Sequence, residues 1–250
     1  MQNSNDKTPA AKVEKAVQQA AQAEITSPRK REYRTLAFQV ALFSALGAFA
    51  VLTLLVNSTP LFSVDLQITR AFQSIDSAVF AAVMYWISWP GYPPQGLIIP
   101  ALVVLFLYRF GFHWEAVTAL VAAISSALVN VLIKELIGRP RPTIDLVDVF
   151  RILDSYSFPS GHVMLYIGFY GFLWFLAFTL LKRSWKRTLL LVLLGTLVAL
   201  VGASRIYLGQ HWASDILGAM LLGGVMLVFI LQFYRWGKKR FLTGQPVSPG

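Results

Sequence analysis

The chain has 250 residues, of which 56% are hydrophobic and only 14% charged, with a formal charge of +10 and no cysteine. So apolar a composition belongs to an integral membrane protein rather than a soluble domain, and the absence of thiols excludes disulfides, thiolate catalysis and cysteine-based zinc sites. The positive balance does not point to nucleic acid. The basic residues flank apolar runs instead of striping a surface: Lys7, Lys12, Lys15, Arg29, Lys30, Arg31 and Arg34 precede the first, Lys182, Arg183, Lys186 and Arg187 separate two later ones, and Arg235, Lys238, Lys239 and Arg240 follow the last. This is the positive-inside pattern of a membrane protein.

Residues 1–34 are polar and rich in Ala, Gln and Lys, and are expected to form a basic cytoplasmic tail, disordered or an amphipathic helix. No cleavable leader is expected, because the first apolar run begins late and is too long for one. Apolar runs at 35–57, 94–110, 115–136, 162–182, 187–207 and 212–235 predict six transmembrane helices. They form one all-α polytopic membrane bundle over 35–240, followed by a short tail at 241–250. Most reach the roughly 20 residues that a hydrocarbon core demands, and 94–110 is the shortest. The segment 65–89 is interrupted by Asp65, Arg70 and Asp76 and is too short to span. With six spans the N-terminus, Arg109, the 182–187 cluster and the C-terminus all fall on one side, the cytoplasmic one, whereas a seventh span would separate them. The segment is therefore expected to lie at the outer interface or to be re-entrant, with Trp86, Trp89 and Tyr92 at headgroup level.

Three polar clusters interrupt the apolar runs. The first follows the third span: Lys134, then Arg139-Pro140-Arg141-Pro142. Alone, such cations read as snorkelling anchors, yet this topology puts them on the outer side, where positive charge is disfavoured, and an anionic ligand is the simplest reason to keep them there. The Arg-Pro pairs stop the helix and fix the backbone. Arg139 could assist the phosphate or face lipid headgroups, and headgroups are the favoured reading. The second cluster, Pro159-Ser160-Gly161-His162, opens the fourth span; its free backbone N–H groups and positive dipole end suit a phosphate, with His162 in the first turn facing the same anion. The third, Ser204 to Asp215, joins the fifth and sixth spans. If one helix carries both His211 and Asp215, they are i and i+4 neighbours, and the carboxylate can hold one imidazole nitrogen while the other stays free. All three clusters emerge on the same side. Lys134, Arg141 and Arg205 could then neutralise a phosphate, with Ser160 and the Gly161 N–H adding hydrogen bonds.

Lys134-x6-Arg141-Pro142, Pro159-Ser160-Gly161-His162 and Ser204-Arg205-x5-His211-x3-Asp215 resemble the three signature motifs of the type 2 phosphatidic acid phosphatase (PAP2) superfamily, in order and without departure at any signature position. The resemblance implies a metal-independent membrane lipid phosphatase, without cofactor, that works through a phosphohistidine. His211 would be the nucleophile, Asp215 would orient it, and His162 would be the acid for the leaving oxygen. Lys134, Arg141, Ser160, Gly161 and Arg205 would hold the phosphoryl oxygens. The implied substrates are phosphatidic acid, diacylglycerol pyrophosphate, phosphatidylglycerophosphate and undecaprenyl pyrophosphate. Short loops and small size suggest a bacterial inner membrane, which favours the last two. Transfer of the phosphoryl group to an acceptor other than water stays open, as does, less favourably, anion transport; against the latter, no ionisable residue sits deep in a span to form a path. The oligomeric state is not readable.

Overall fold

A computed structural model describes residues 28–242 and contains no β-strand among them; the expected tails lie almost entirely outside the described residues. The chain divides into two compact units, residues 1–44 and 45–250. All the polar clusters belong to the second.

Among the described residues eight helices follow in order. Helix α1 is Pro28–Ser58, α2 Ser63–Gln73, α3 Ala78–Ser88, α4 Gln95–Arg109 and α5 His113–Ile137. Helix α6 is Gly161–Leu180, with a π-helical turn at Tyr166–Tyr170. Helices α7, Trp185–Tyr207, and α8, Ala213–Leu242, follow. Among the described residues, five segments are long and apolar enough to cross a membrane: Thr35–Ser58 of α1, α5, α6, α7 and Ala213–Phe241 of α8. Helix α4, expected as a span, has only 15 residues. It reaches the required length only together with the segment Ala78–Gly91, from which it is bent by 59°. With that pair taken as one crossing, the described residues hold up to six spans, the number expected from hydropathy.

Local chemistry sets the breaks. Pro90, Pro93 and Pro94 crowd the turn between α3 and α4, and proline supplies no N–H to continue a helix. Ser77 and Ser184 cap α3 and α7 by accepting the backbone N–H groups of Phe80 and Arg187, as short hydroxyl side chains do at N-termini. Helix α5 stops at Gly138, whose N–H bonds the Lys134 carbonyl. The Arg-Pro pairs then keep the chain extended.

Helix α6 is the buried centre of the second unit: Val163, Met164, Tyr166, Phe169 and Phe172 are fully enclosed, and α5, α7 and α8 all pack against it. The exposed Leu, Val and Phe side chains of α1, α4, α5 and α7 suit a surrounding of lipid. Segment 63–88 is two 11-residue helices, each too short to span. Helix α3 lies along α7, where the Ser204 hydroxyl bonds the Met84 carbonyl and, at very short range, Ser88 Oγ. At the opposite end of the bundle α5 and α8 are clamped together. Glu115 receives Lys238 Nζ at 2.5 Å and the Tyr234 hydroxyl at 2.9 Å, while Trp114 Nε1 donates to the Tyr234 carbonyl.

Candidate active site

The site is made where three connections meet at one end of the bundle: residues 138–160 between α5 and α6, 208–212 between α7 and α8, and 89–94 between α3 and α4. Two of these are tied together by backbone, the Phe150 N–H donating to the Leu208 carbonyl at 3.1 Å. Gly209 permits the approach. Its φ is +61°, and a Cβ there would stand 1.9 Å from the Asp148 carbonyl oxygen, so no other residue fits.

Histidine 211 is not part of α8, which begins at Ala213; it lies in the connection just before it. The expected pairing with Asp215 nevertheless forms, because Asp215 sits in the first helical turn and its Oδ2 reaches back to the Trp212 N–H at 2.9 Å, closing the start of the helix in the manner of a capping box. This leaves His211 Nδ1 3.4 Å from Asp215 Oδ2. On the other side of the ring, Nε2 lies 3.2 Å from Arg141 Nη1. A guanidinium can only donate, so Nε2 is the acceptor, and Nδ1 carries the proton that faces the carboxylate. His211 is 2% exposed. Burial, reinforced by the cations of Arg141, Lys134 and Arg205, pushes the pKa of this imidazole well below its ordinary value. It is therefore neutral at pH 7, with an unprotonated Nε2 aimed at a cluster of positive charge, an arrangement suited to attack on phosphorus.

Each cation is held by different partners. Arg141 donates to the Ser155 carbonyl and hydroxyl and to the Gln210 carbonyl. Burial and the neighbouring Arg205 charge lower its pKa to about 10, which leaves it charged at neutral pH. Lys134 is 7% exposed and donates to the carbonyls of Tyr156 and Ser157, so it fixes the 138–160 connection from below. Arg205 is fully buried. Its guanidinium stands 5.0 Å over the Tyr92 ring and bonds the Tyr92 hydroxyl at 2.9 Å, Ser88 Oγ at 3.3 Å and, at very short range, Gln210 Oε1.

The Pro-Ser-Gly-His turn is positioned by Asn130 of α5, whose Nδ2 donates to the Pro159 carbonyl at 2.9 Å. Its Oδ1 lies so close to Gly161 that a Cβ there would stand 2.9 Å away. Ser160 precedes the helix, with its N–H on the Asp215 carbonyl. The His162 imidazole rests edge-on against Tyr92, ring centroids 5.0 Å apart, and close against Gly91, where a Cβ would come within 2.4 Å of the ring. Ser160 Oγ, His162 Nε2 and Arg205 Nε are buried without a hydrogen-bond partner. Buried polar atoms are nearly always paired, so three orphans in one site next to surplus positive charge mark a place for an anion. All eight residues singled out by the motifs are thus brought to one end of the bundle: Lys134, Arg141, Ser160, Gly161, His162, Arg205, His211 and Asp215.

Other participants escape a motif reading. Arg139, expected to face headgroups, is 1% exposed. It lies between two carboxylates, 2.5 Å from Asp215 Oδ1 and 2.8 Å from Asp65 Oδ2. The reason is packing: α2 brings a buried Asp65 to the start of α8, and the helix-ending Arg-Pro pairs point Arg139 inward and Arg141 toward His211. Ser157 donates to Asp215 Oδ2 at 2.5 Å, and Tyr92 and Ser88 come from the connection and helix before α4. A cleft of ≈ 270 Å³ opens beside Arg141, lined by Pro142, Thr143, Ile144, Ile152, Leu153 and Gln210 among others.

The chain is similar to several known proteins. The sequence profile of the PAP2 superfamily matches residues 115–239. Phosphatidylglycerophosphatase B of Bacillus subtilis is 31% identical over 185 residues, covering 69% of this chain and 89% of that protein. A provisionally named undecaprenyl-diphosphatase of Escherichia coli, YbjG, is 32% identical over 131 residues, half of this chain and 61% of that one. Among solved structures, the transmembrane PAP2-type phosphatidylglycerolphosphate phosphatase of Bacillus subtilis superposes with a TM-score of 0.68 at 27% identity, covering 80% of this chain and 98% of that one. LpxE of Aquifex aeolicus shares the fold, with a TM-score of 0.56 at 20% identity over 68% of this chain and 96% of its own. With its three motifs assembled at one end of an all-helical membrane bundle, this chain belongs to the PAP2 superfamily of membrane phosphatases.

Proposed function

We propose that the protein hydrolyses a lipid phosphomonoester or diphosphate through a phosphohistidine at His211, with no metal required. The observation that carries this reading is the placement of His211: buried, its Nε2 facing Arg141 beside the unpartnered polar atoms of Ser160, His162 and Arg205. In the reaction Nε2 attacks phosphorus as the bond to the leaving oxygen breaks, and His162 delivers a proton to that oxygen. Water then attacks the phosphohistidine, passing its proton back to His162, and phosphate departs. Asp215 steadies the imidazole as it gains positive charge. Lys134, Arg141 and Arg205, with Ser160 and the Gly161 N–H, hold the three non-bridging oxygens while their charge redistributes, which is where most of the acceleration in phosphoryl transfer arises. These cations do the work that a metal would otherwise do.

The basic flanks of the spans support cytoplasmic termini and a site on the outer face of a bacterial inner membrane. There the cleft beside Arg141, with Ile144, Ile152 and Leu153 on its wall, would receive a headgroup at interfacial depth. The substrates named for the relatives make phosphatidylglycerophosphate and undecaprenyl diphosphate the first candidates, with phosphatidic acid and diacylglycerol pyrophosphate behind them. The test is phosphate release from these four lipids by the detergent-purified protein with EDTA throughout. Release from at least one without an added acceptor is expected. Release only with an added acceptor would make it a phosphotransferase, and activity that vanished in EDTA would overturn the metal-free mechanism.

A further inference from the structure

We propose that Arg139 and Asp65 are positioning residues of the reaction: Arg139 anchors the Asp215 carboxylate for His211, and Asp65 anchors Arg139 and keeps the group negative. The proposal rests on the phosphohistidine reading above, and neither residue belongs to the three motifs. Its basis is how Asp215 divides its two oxygens. Oδ1 is taken by Arg139 Nη1 at 2.5 Å, whereas Oδ2 accepts from Ser157 and the Trp212 N–H and faces His211 Nδ1. A carboxylate clamped on one oxygen cannot rotate, so the other stays directed at the imidazole. Arg139 is clamped in turn. Its Nε donates to the Pro60 carbonyl at 2.8 Å, Nη1 also to Ser214 Oγ at 2.7 Å, and Nη2 to Asp65 Oδ2 at 2.8 Å. Asp65 is 1% exposed and accepts the Ser214 N–H and hydroxyl at 2.8 and 2.5 Å.

Charge explains why a second carboxylate is present. Arg139 and Asp215 alone would form a neutral pair, and the field that Asp215 exerts on His211 would be largely offset. Asp65 restores one negative charge to the group, so His211 still sees a net anion against Arg141, Lys134 and Arg205. A purely structural role is the weaker account, since a buried ion group of this kind is often no more stabilising than apolar residues of the same volume.

The two residues have opposite electrostatic signs, and that separates positioning from mere packing. The variants are Asp65→Asn and Arg139→Gln, made in the full chain and purified in detergent. Every other group facing His211 stays the same: Asp215 and Ser157, Arg141 and Lys134, Arg205, and His162. On the lipid that the wild type turns over best, kcat should fall by roughly 10- to 100-fold in both, with KM little changed. The acidic limb of kcat/KM should move to lower pH in Asp65→Asn and to higher pH in Arg139→Gln, by about half a pH unit or more. NMR titration of ¹⁵N-labelled histidine, assignable because the chain has three, should show the same opposite displacements at His211 whether or not any lipid is hydrolysed. Wild-type kcat in both variants, a displacement in one common direction, or no displacement would overturn the proposal. Should Arg139→Gln fail to fold, the near-isosteric Asp65→Asn decides alone. Failure of the wild type on all four lipids would instead count against the proposed function, leaving the NMR titration to judge this inference.

Discussion

Helices α5 and α8 each carry a charged residue near both ends, and the two ends of the bundle use them differently. At the end away from the motifs, Glu115 from the start of α5 meets Lys238 and the Tyr234 hydroxyl from the end of α8: one cation for one carboxylate, with every partner satisfied. At the motif end, Lys134 from the end of α5 and Asp215 from the start of α8 belong to a cluster that also holds Asp65, Arg139, Arg141 and Arg205. Four cations there face two carboxylates. Of the five buried side-chain polar atoms left without a partner among the described residues, three lie in this cluster. A balanced, satisfied group holds two helices together; a group with two unmatched positive charges and orphaned donors is built for a ligand that is itself anionic. Burial alone does not tell them apart, since Glu115 is as enclosed as His211.

If this contrast is right, changes at the motif end alter rate and changes at the other end alter only stability. The largest effect is expected for His211→Ala, which removes the proposed nucleophile and should abolish phosphate release; release at the wild-type rate from the purified variant would break the comparison outright. Asp215→Asn keeps the size of the side chain but weakens its hold on the Nδ1–H, and should cost roughly 10²- to 10⁴-fold in kcat while lipid binding, followed by a pulldown on substrate-loaded vesicles, persists. Arg141→Lys retains the charge yet loses the planar fork that bonds Ser155, Gln210 and His211 Nε2, and about 10-fold or more should be lost from kcat/KM.

A smaller effect is read in the wild type itself. Because burial and three cations depress the pKa of His211, the proposed nucleophile stays unprotonated to lower pH than a free imidazole, and the acidic limb of kcat/KM should fall below the ordinary histidine value of 6.5. A limb above 6.5 would mean that Asp215 outweighs burial and the cations together. Least of all, Tyr234→Phe removes one hydrogen bond to Glu115. It should lower stability by about 1 kcal/mol, seen as a fall of a few degrees in thermal unfolding, with kcat unchanged. A loss of rate there would show that the two ends are coupled.

Five of the six spans and the clustering of the eight motif residues could be read from the chain because both signals are local. A run of apolar residues declares a membrane helix by length, and Pro-Ser-Gly-His or Arg-Pro fixes its own backbone within a few residues. The i, i+4 relation of His211 and Asp215 held even though His211 precedes the helix, since the turn that starts α8 sets that spacing from Asp215 itself. Arg139 could not be read in this way. Its partner Asp65 lies 74 residues away, on a helix whose polar residues look interfacial, and whether Arg139 or Arg141 turns inward is a choice between neighbours in one tetrapeptide. The same holds for Tyr92 and Ser88, which meet Arg205 across 113 and 117 residues, and for Gly91, whose only visible reason is the imidazole lying against it. Local pattern fixes where a side chain starts, but the partner of a buried charge is decided by which helices pack together, and that information exists only in the assembled bundle.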